Sequence, residues 1–245
     1  QDRQPVLIME NVRYGRLQDV TLRIAPGECV VLQDLDNHCI SDFIGLFQGE
    51  PPEAGRFCLA GEKRKSPENR DLAVIQELPT ETMLFSHMSY FDNLCFTMDH
   101  RIRGVWSQSG IRRSIREEQK DLLGEDVFDT PVRDLTRQQK YDLVYTRVLL
   151  QHPQVVLCVQ PFKNAEVSVR SHIWELMERF LKKNIAVVIL AVNLADSLAL
   201  ADRLVRIRDG RIQEIFAQKD FSKLPEHTPW LHLYQKNYGS HSEDT

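Results

Sequence analysis

Apolar positions along this chain follow two rhythms, and each predicts a different kind of element. PVLIMENV and VTLRI are short apolar stretches on either side of the polar segment RYGRLQD, which predicts two strands around a turn. APGE then leads into ECVVLQ, a continuous apolar run that fits a buried strand, and a helix is predicted over Ile40–Gln48. EPPEAG reads as a turn, RFCLAGE as a strand, and DLAVIQ, from Asp71 to Gln76, as a further buried strand. From there to about Leu123 the pattern is mostly helical. Within that segment HRIRGVWSQSGIRRSIREEQ is polar and charge-rich, as a solvated helical face would be.

The second half is sharper. RQQKYDLVYTRVLLQ places Leu143, Val144, Arg147, Val148 and Leu150 at helical spacing. QVVLCVQ and IAVVILAV are uninterrupted apolar runs of the kind found in parallel strands covered on both faces. Between them, a helix over Val167–Lys182 is predicted to bury the stripe Val167, Ile173, Leu176, Met177, Phe180 and Leu181. NLADSLALA reads as a short helix, DRLVRIR as a strand, and DGRI as a hairpin turn into IQEIF. Strands alternating with helices of this length predict an α/β fold around a mostly parallel sheet, with antiparallel strands feeding its first strand–loop–helix unit. The tail after Leu233 is polar and is expected to fray.

Composition narrows the function classes. The chain has 245 residues, 42% apolar and 27% charged, with a formal net charge of −4, so it lacks the basic footprint of a nucleic-acid binder. No apolar run reaches the roughly 18 residues that span a bilayer, which excludes direct membrane insertion. Five scattered cysteines, Cys29, Cys39, Cys58, Cys95 and Cys158, are odd in number and form no C-x-x-C pair. They are expected to be reduced, buried thiols of a cytoplasmic protein. The chain opens on Gln1 rather than methionine, and is expected to be a domain cut from a longer protein.

The candidate chemistry starts where ECVVLQ meets the following helix. A buried strand, a short loop and a helix N-terminus form the usual cradle for phosphate, because free backbone N–H groups converge there with the helix dipole. Yet the loop contains no glycine and no lysine, and it carries Asp34 and Asp36. The order of elements from about Leu7 to Phe216 resembles the nucleotide-binding cassette of ATP-binding cassette (ABC) transporters. The resemblance is carried by LQDVTLRIAPGE before the loop, EPPEAGRFCLAGE after it, MSYFDNL in the insert, QQK opening the signature helix, HPQVVLCVQPF, RSHIWELM and LADRLVRIRDGRI. Within the family it looks most like the second cassette of ribose/galactose-type sugar importer subunits. It implies one cassette over 1–233 with a helical insert over about 78–140, and a polar tail over 234–245.

The resemblance also implies where the catalytic positions fall, and nearly all of them carry altered residues. The family's phosphate loop, G-x-x-x-x-G-K-[ST], uses glycines to bring N–H groups close, a lysine on the phosphates and a hydroxyl on Mg²⁺. That frame falls on Asp34, Leu35, Asp36, Asn37, His38, Cys39, Ile40 and Ser41, of which only Ser41 matches. A lost hydrogen bond to a charged partner costs roughly 1.5–3 kcal/mol. Two such losses at Ile40 alone would weaken nucleotide by roughly two to four decades. The carboxylate pair that ends the Walker B strand falls on Val159 and Gln160, neither of which can act as a general base. The switch histidine falls on Val192, or on neighbouring Asn193, and the D-loop aspartate on Glu166. Gln76 matches the Q-loop glutamine, which leaves a membrane-domain contact open against simple polar capping of a strand end. The signature loop, glycine-rich in the family, falls on Leu135, Thr136, Arg137 and Gln138, with Thr136 placed to cap the following helix.

Other chemistry is thin. Cys39 beside His38 at a helix start could be an acidic redox thiol rather than a packing residue. His38, His87 and His100 lack ligand spacing, so no metal site is expected, and Trp106, Trp174 and Trp230 read as core or interface anchors. Because both halves of a composite ATP site are altered, the leading expectation is a pseudo-ATPase cassette. It would need no cofactor and pair with a second cassette, and with transporter membrane domains at the inner face of the cell membrane. Two alternatives stand beside it: an active sugar-uptake ATPase with non-standard residues, using ATP and Mg²⁺, and a cassette repurposed as a regulatory sensor.

Overall fold

A computed structural model describes residues 4–60, 71–99, 105–123 and 125–224. His100, Trp230 and the tail over 234–245 lie outside the described residues, as does the side chain of Trp106. The chain divides into two compact units, one built from residues 1–77 and 153–245 and the other from Leu78–His152.

In the first unit the chain opens with β1 (Leu7–Tyr14) and β2 (Leu17–Ile24), an antiparallel hairpin. The strands run further into RYGRLQD than the sequence pattern predicts, leaving only Gly15 and Arg16 as the turn. Gly15 has a positive φ of 56°, which a two-residue hairpin turn demands and glycine supplies without strain. β3 (Cys29–Asp34) follows, buried along its whole length, then α1 (Ile40–Phe47) and β4 (Ala54–Leu59). β4 pairs with β1, giving a three-stranded antiparallel sheet in the order β2-β1-β4.

The remaining strands of this unit are β5 (Leu72–Ile75), β6 (Val155–Val159), β7 (Ala186–Ala191), β8 (Arg203–Arg208) and β9 (Arg211–Ala217). With β3 they form a six-stranded sheet, β5-β6-β7-β3-β8-β9, parallel throughout except for the β8–β9 hairpin. β3, β6 and β7 are fully buried, as their unbroken apolar runs require. One continuous core joins these strands to α1 and the antiparallel sheet through Phe43, Phe47, Phe57, Leu157 and Val188. All five cysteines are buried.

The second unit is helical: α2 (Pro79–Thr82), α3 (Tyr90–Asp99), α4 (Val105–Leu123), α5 (Glu125–Phe128) and α6 (Arg137–Leu150). Its own core gathers Tyr90, Leu94, Ile115, Phe128 and Leu143. The polar helix α4 is held to it by cation–π contacts, with Arg112 over Phe91 at 4.9 Å and Arg116 over Phe128 at 5.4 Å.

Back in the first unit, α7 (Val167–Lys182) has the predicted bounds but a different inward face. Val167 is 67% exposed and Leu181 only half-buried, whereas Val169 and Trp174 are buried with Ile173, Leu176, Met177 and Phe180. Val167, the first residue of the helix, stands in solvent, so helical periodicity alone misassigned it. The NLADSLALA segment is a 3₁₀ turn over Ala195–Leu200, with Leu198 buried, and not an α-helix.

The β8–β9 turn is tied to the hairpin by Gln18, whose N–H donates to the Gly210 carbonyl at 2.8 Å. Gly210 has φ 72°, and a Cβ there would sit 1.8 Å from the Arg16 carbonyl oxygen. Gly210→Ala is therefore expected to lower unfolding stability by about 1–3 kcal/mol in a urea titration, while Val167→Ser should stay within about 0.5 kcal/mol.

Candidate functional site

The loop between β3 and α1 closes on itself. Asp34 ends β3 buried, only 1% exposed, and its Oδ2 accepts the Cys39 N–H at 2.7 Å. Its carbonyl accepts the Asn37 N–H, and Asn37 takes φ 55° to complete the turn. Asp36 reaches away to accept the Asp209 N–H at 2.7 Å, and Asp42 in the first turn of α1 accepts the Arg16 N–H at 3.0 Å. Three carboxylates thus satisfy backbone donors in and around the loop. An anion arriving at Cys39 would have to displace one already bonded there. Ile40 packs partly buried against the core, and Ser41 is exposed.

Cys39 is not an acidic thiol. Burial, followed by the nearby charges of Asp34 and Asp42, pushes its pKa up to about 11. The redox alternative named from sequence is corrected on this ground: burial and the neighbouring carboxylates outweigh the lowering by Arg16.

At the carboxyl ends of the parallel strands, Val159 is buried at the end of β6 and Gln160 follows in a left-handed conformation, φ 43°. Its side-chain amide donates to Glu77 Oε2 at 2.8 Å, and Lys163 Nζ pairs with Glu77 Oε1 at 2.8 Å. Beyond β7, the Val192 carbonyl accepts from the Gln33 side chain at 3.2 Å, and Gln33 in turn accepts from Arg206 Nε at 3.0 Å. Arg170 on α7 donates to the Ala165 carbonyl and to Asp196, both at 2.7 Å. These ends surround a cavity of about 350 Å³, whose walls include Asn37, Gln160, Lys163, Arg170, Val192 and Asn193. The structure therefore brings the phosphate-loop residue Asn37 together with Gln160 and Val192. Gln76 is exposed just past the end of β5. Glu166 precedes α7 as an exposed residue and gives it no side-chain cap.

The signature residues lie in the helical unit. Leu135 is buried there, while Arg137 and Gln138 are exposed. Thr136 caps α6 in a reciprocal box: its hydroxyl oxygen accepts the Gln139 N–H at 3.2 Å, and its own N–H donates to the Gln139 side chain at 2.8 Å.

Sequence reasoning missed Glu77, Lys163, Arg170 and Asp196. No local motif marks them, since their meeting depends on strand order. From sequence Asp34 reads only as a repulsive charge, and its role as acceptor for the Cys39 N–H emerges from the loop's closure.

The structure superimposes on CbiO1 from Clostridium perfringens, part of the ABC transporter complex CbiONQ, with a TM-score of 0.75 at 18% identity, covering 96% of this chain and 98% of that one. It matches the ADP conformation of MJ1267, a cassette of an ABC transporter, equally well, with a TM-score of 0.75 at 14% identity over 94% and 99% of the two chains. The fold is that of an ATP-binding cassette. The chain is also 28% identical over 207 residues to the sn-glycerol-3-phosphate import ATP-binding protein UgpC of Vibrio vulnificus, covering 82% of this chain and 54% of that protein. It is 24% identical over 221 residues to the molybdate/tungstate import protein WtpC of Pyrococcus horikoshii, covering 88% of this chain and 62% of that one. The chain thus spans little more than half the length of such relatives. No protein-family model matches it.

Two measurements test this geometry. Thr136→Ala should cost about 1 kcal/mol of stability, with Thr136→Ser restoring most of it. Alkylation of Cys39 by iodoacetamide at pH 8 should run at least about two orders of magnitude slower than that of a free thiol. Because its folded pKa is raised, the stability it contributes is complete below the ordinary thiol pKa of 9.0 and is lost as pH climbs towards about 11.

Proposed function

We propose that this chain is a partner cassette of an ABC import system that holds its place in the assembly without binding or hydrolysing ATP. One observation carries the reading: the Asp34 carboxylate already accepts the Cys39 N–H, at the loop where the family would seat a phosphate. The loop supplies no cation to offset a triphosphate, with Ile40 where the family has lysine. Two aspartates in it add repulsion instead. Val159 and Gln160 leave the end of β6 without the carboxylates that serve the metal and the attacking water. The Thr136 box likewise uses loop acceptors on the α6 start, where the family's signature loop would meet a γ-phosphate.

The importer part of the reading is supported by the relatives, whose names cover sn-glycerol-3-phosphate, molybdate or tungstate, and spermidine or putrescine import. The sugar-importer type rests on the sequence segments alone. Under this reading the cassette works on the inner face of a membrane, with a second cassette and membrane domains as partners. Among the described residues no helix is long and apolar enough to cross a membrane itself.

A second reading, an ATPase with relocated groups, has one observation in its favour. Glu77 puts a carboxylate within 2.8 Å of the Gln160 amide, at the strand ends where a base would act. Lys163 neutralises that carboxylate, and the loop still has no cation for the phosphates.

Calorimetry with Mg·ATP separates the two. The partner-cassette reading expects a Kd weaker than about 1 mM, no rise in melting temperature and no Mg²⁺-dependent turnover. Turnover abolished by Glu77→Gln would establish the second reading. The triple change Asp34→Gly, Cys39→Gly and Ile40→Lys removes the internal acceptor and returns the cation. It is expected to tighten Mg·ATP by about two decades or more.

A further inference from the structure

The cavity beyond β3, β6 and β7 occupies the place where open α/β sheets bind ligands, the crevice outside the carboxyl ends of parallel strands. At about 350 Å³ it falls at the small end of the range for small-molecule sites. Its polar lining is unusual for a phosphate site. Asn37, Gln160 and Asn193 contribute carboxamides and Ser197 a hydroxyl, groups that each carry donor and acceptor together.

Two cations, Lys163 and Arg170, also line it, and both are matched by carboxylates: Glu77 at 2.8 Å and Asp196 at 2.7 Å. Arg170 is further fixed by the Ala165 carbonyl at 2.7 Å, so its guanidinium stands in place before any ligand arrives. The cavity therefore offers N–H donors whose two cations are already matched, and the loop that contributes Asn37 carries no cation of its own over Asp34–Ser41. An ionised phosphate meets no charge to balance it there. A molecule with several hydroxyls, each both giving and accepting, meets partners of both kinds. Phe162 adds an apolar wall against which a ring's carbon face can rest.

We propose that this cavity binds a small neutral polyhydroxylated molecule, of monosaccharide size, as an effector of the cassette. The inference rests on the reading that nucleotide does not occupy the same place.

The test is NMR on the ¹⁵N-labelled protein, titrated separately with D-galactose, D-ribose, glucose 6-phosphate and Mg·ATP. A neutral sugar is expected to shift the Asn37, Gln160 and Asn193 signals with a Kd of about 1–10 mM, and glucose 6-phosphate to bind at least several-fold more weakly than D-galactose. Asn193→Leu, at an exposed loop position, should weaken the sugar by about tenfold at an unchanged melting temperature. Should that variant fold poorly, the wild-type shift map alone decides whether the sugar sits in the cavity.

No shifts with any neutral sugar, or shifts only away from these residues, overturn the proposal and leave the partner-cassette reading intact. Tighter binding of the phosphate ester overturns the argument from charge. Saturable Mg·ATP shifts in the loop would remove the partner-cassette reading, and this inference with it.

Discussion

The bond from the Cys39 N–H to the Asp34 carboxylate governs the rest of this molecule's chemistry. A strand–loop–helix unit leaves donors at the helix start that must find an acceptor, and a nucleotide is one way to supply it. Here the chain supplies its own, from a residue buried at the end of β3. A buried carboxylate left without that donor would carry a desolvation cost, so the contact stabilises the loop and the aspartate together. The frame is kept because β3 lies inside the sheet, between β7 and β8, and cannot be altered without disturbing the core.

The same habit recurs across the chain. Gln160 is held by Glu77, Arg170 by Asp196, Gln33 by Arg206, and the α6 start by the Thr136–Gln139 box. Each is a polar group at or near the carboxyl ends of the parallel strands or at a helix start that finds its partner inside the chain. In a preorganised site such groups are held in place but kept unsatisfied until the substrate arrives. In this chain they are satisfied in advance.

Much of the fold was legible in the sequence, because buried parallel strands announce themselves as unbroken apolar runs: β3, β6 and β7 appear where ECVVLQ, QVVLCVQ and IAVVILAV predict them. Legibility failed at element ends. Val167 fits the helical stripe of α7 yet stands in solvent, since period says nothing about which end residues are covered. The hairpin strands ran on to a two-residue turn at Gly15 and Arg16 because glycine takes the positive φ such a turn needs, where the segment RYGRLQD suggested a longer one. At the site, the motif frame singled out loop and strand-end residues but not the partners they find in the fold. Asp34 looked repulsive and proved to be an acceptor for its own loop; Glu77 and Asp196 had no motif to reveal them, since only strand order brings them to Gln160 and Arg170.

The pairing of Lys163 and Arg170 with carboxylates has a consequence for ionic strength. A triphosphate site leans on unneutralised cations and loosens as counterions crowd in. A crevice whose cations are already matched has little left for salt to screen, so a neutral molecule bound there would hold nearly as well at high salt as in dilute buffer.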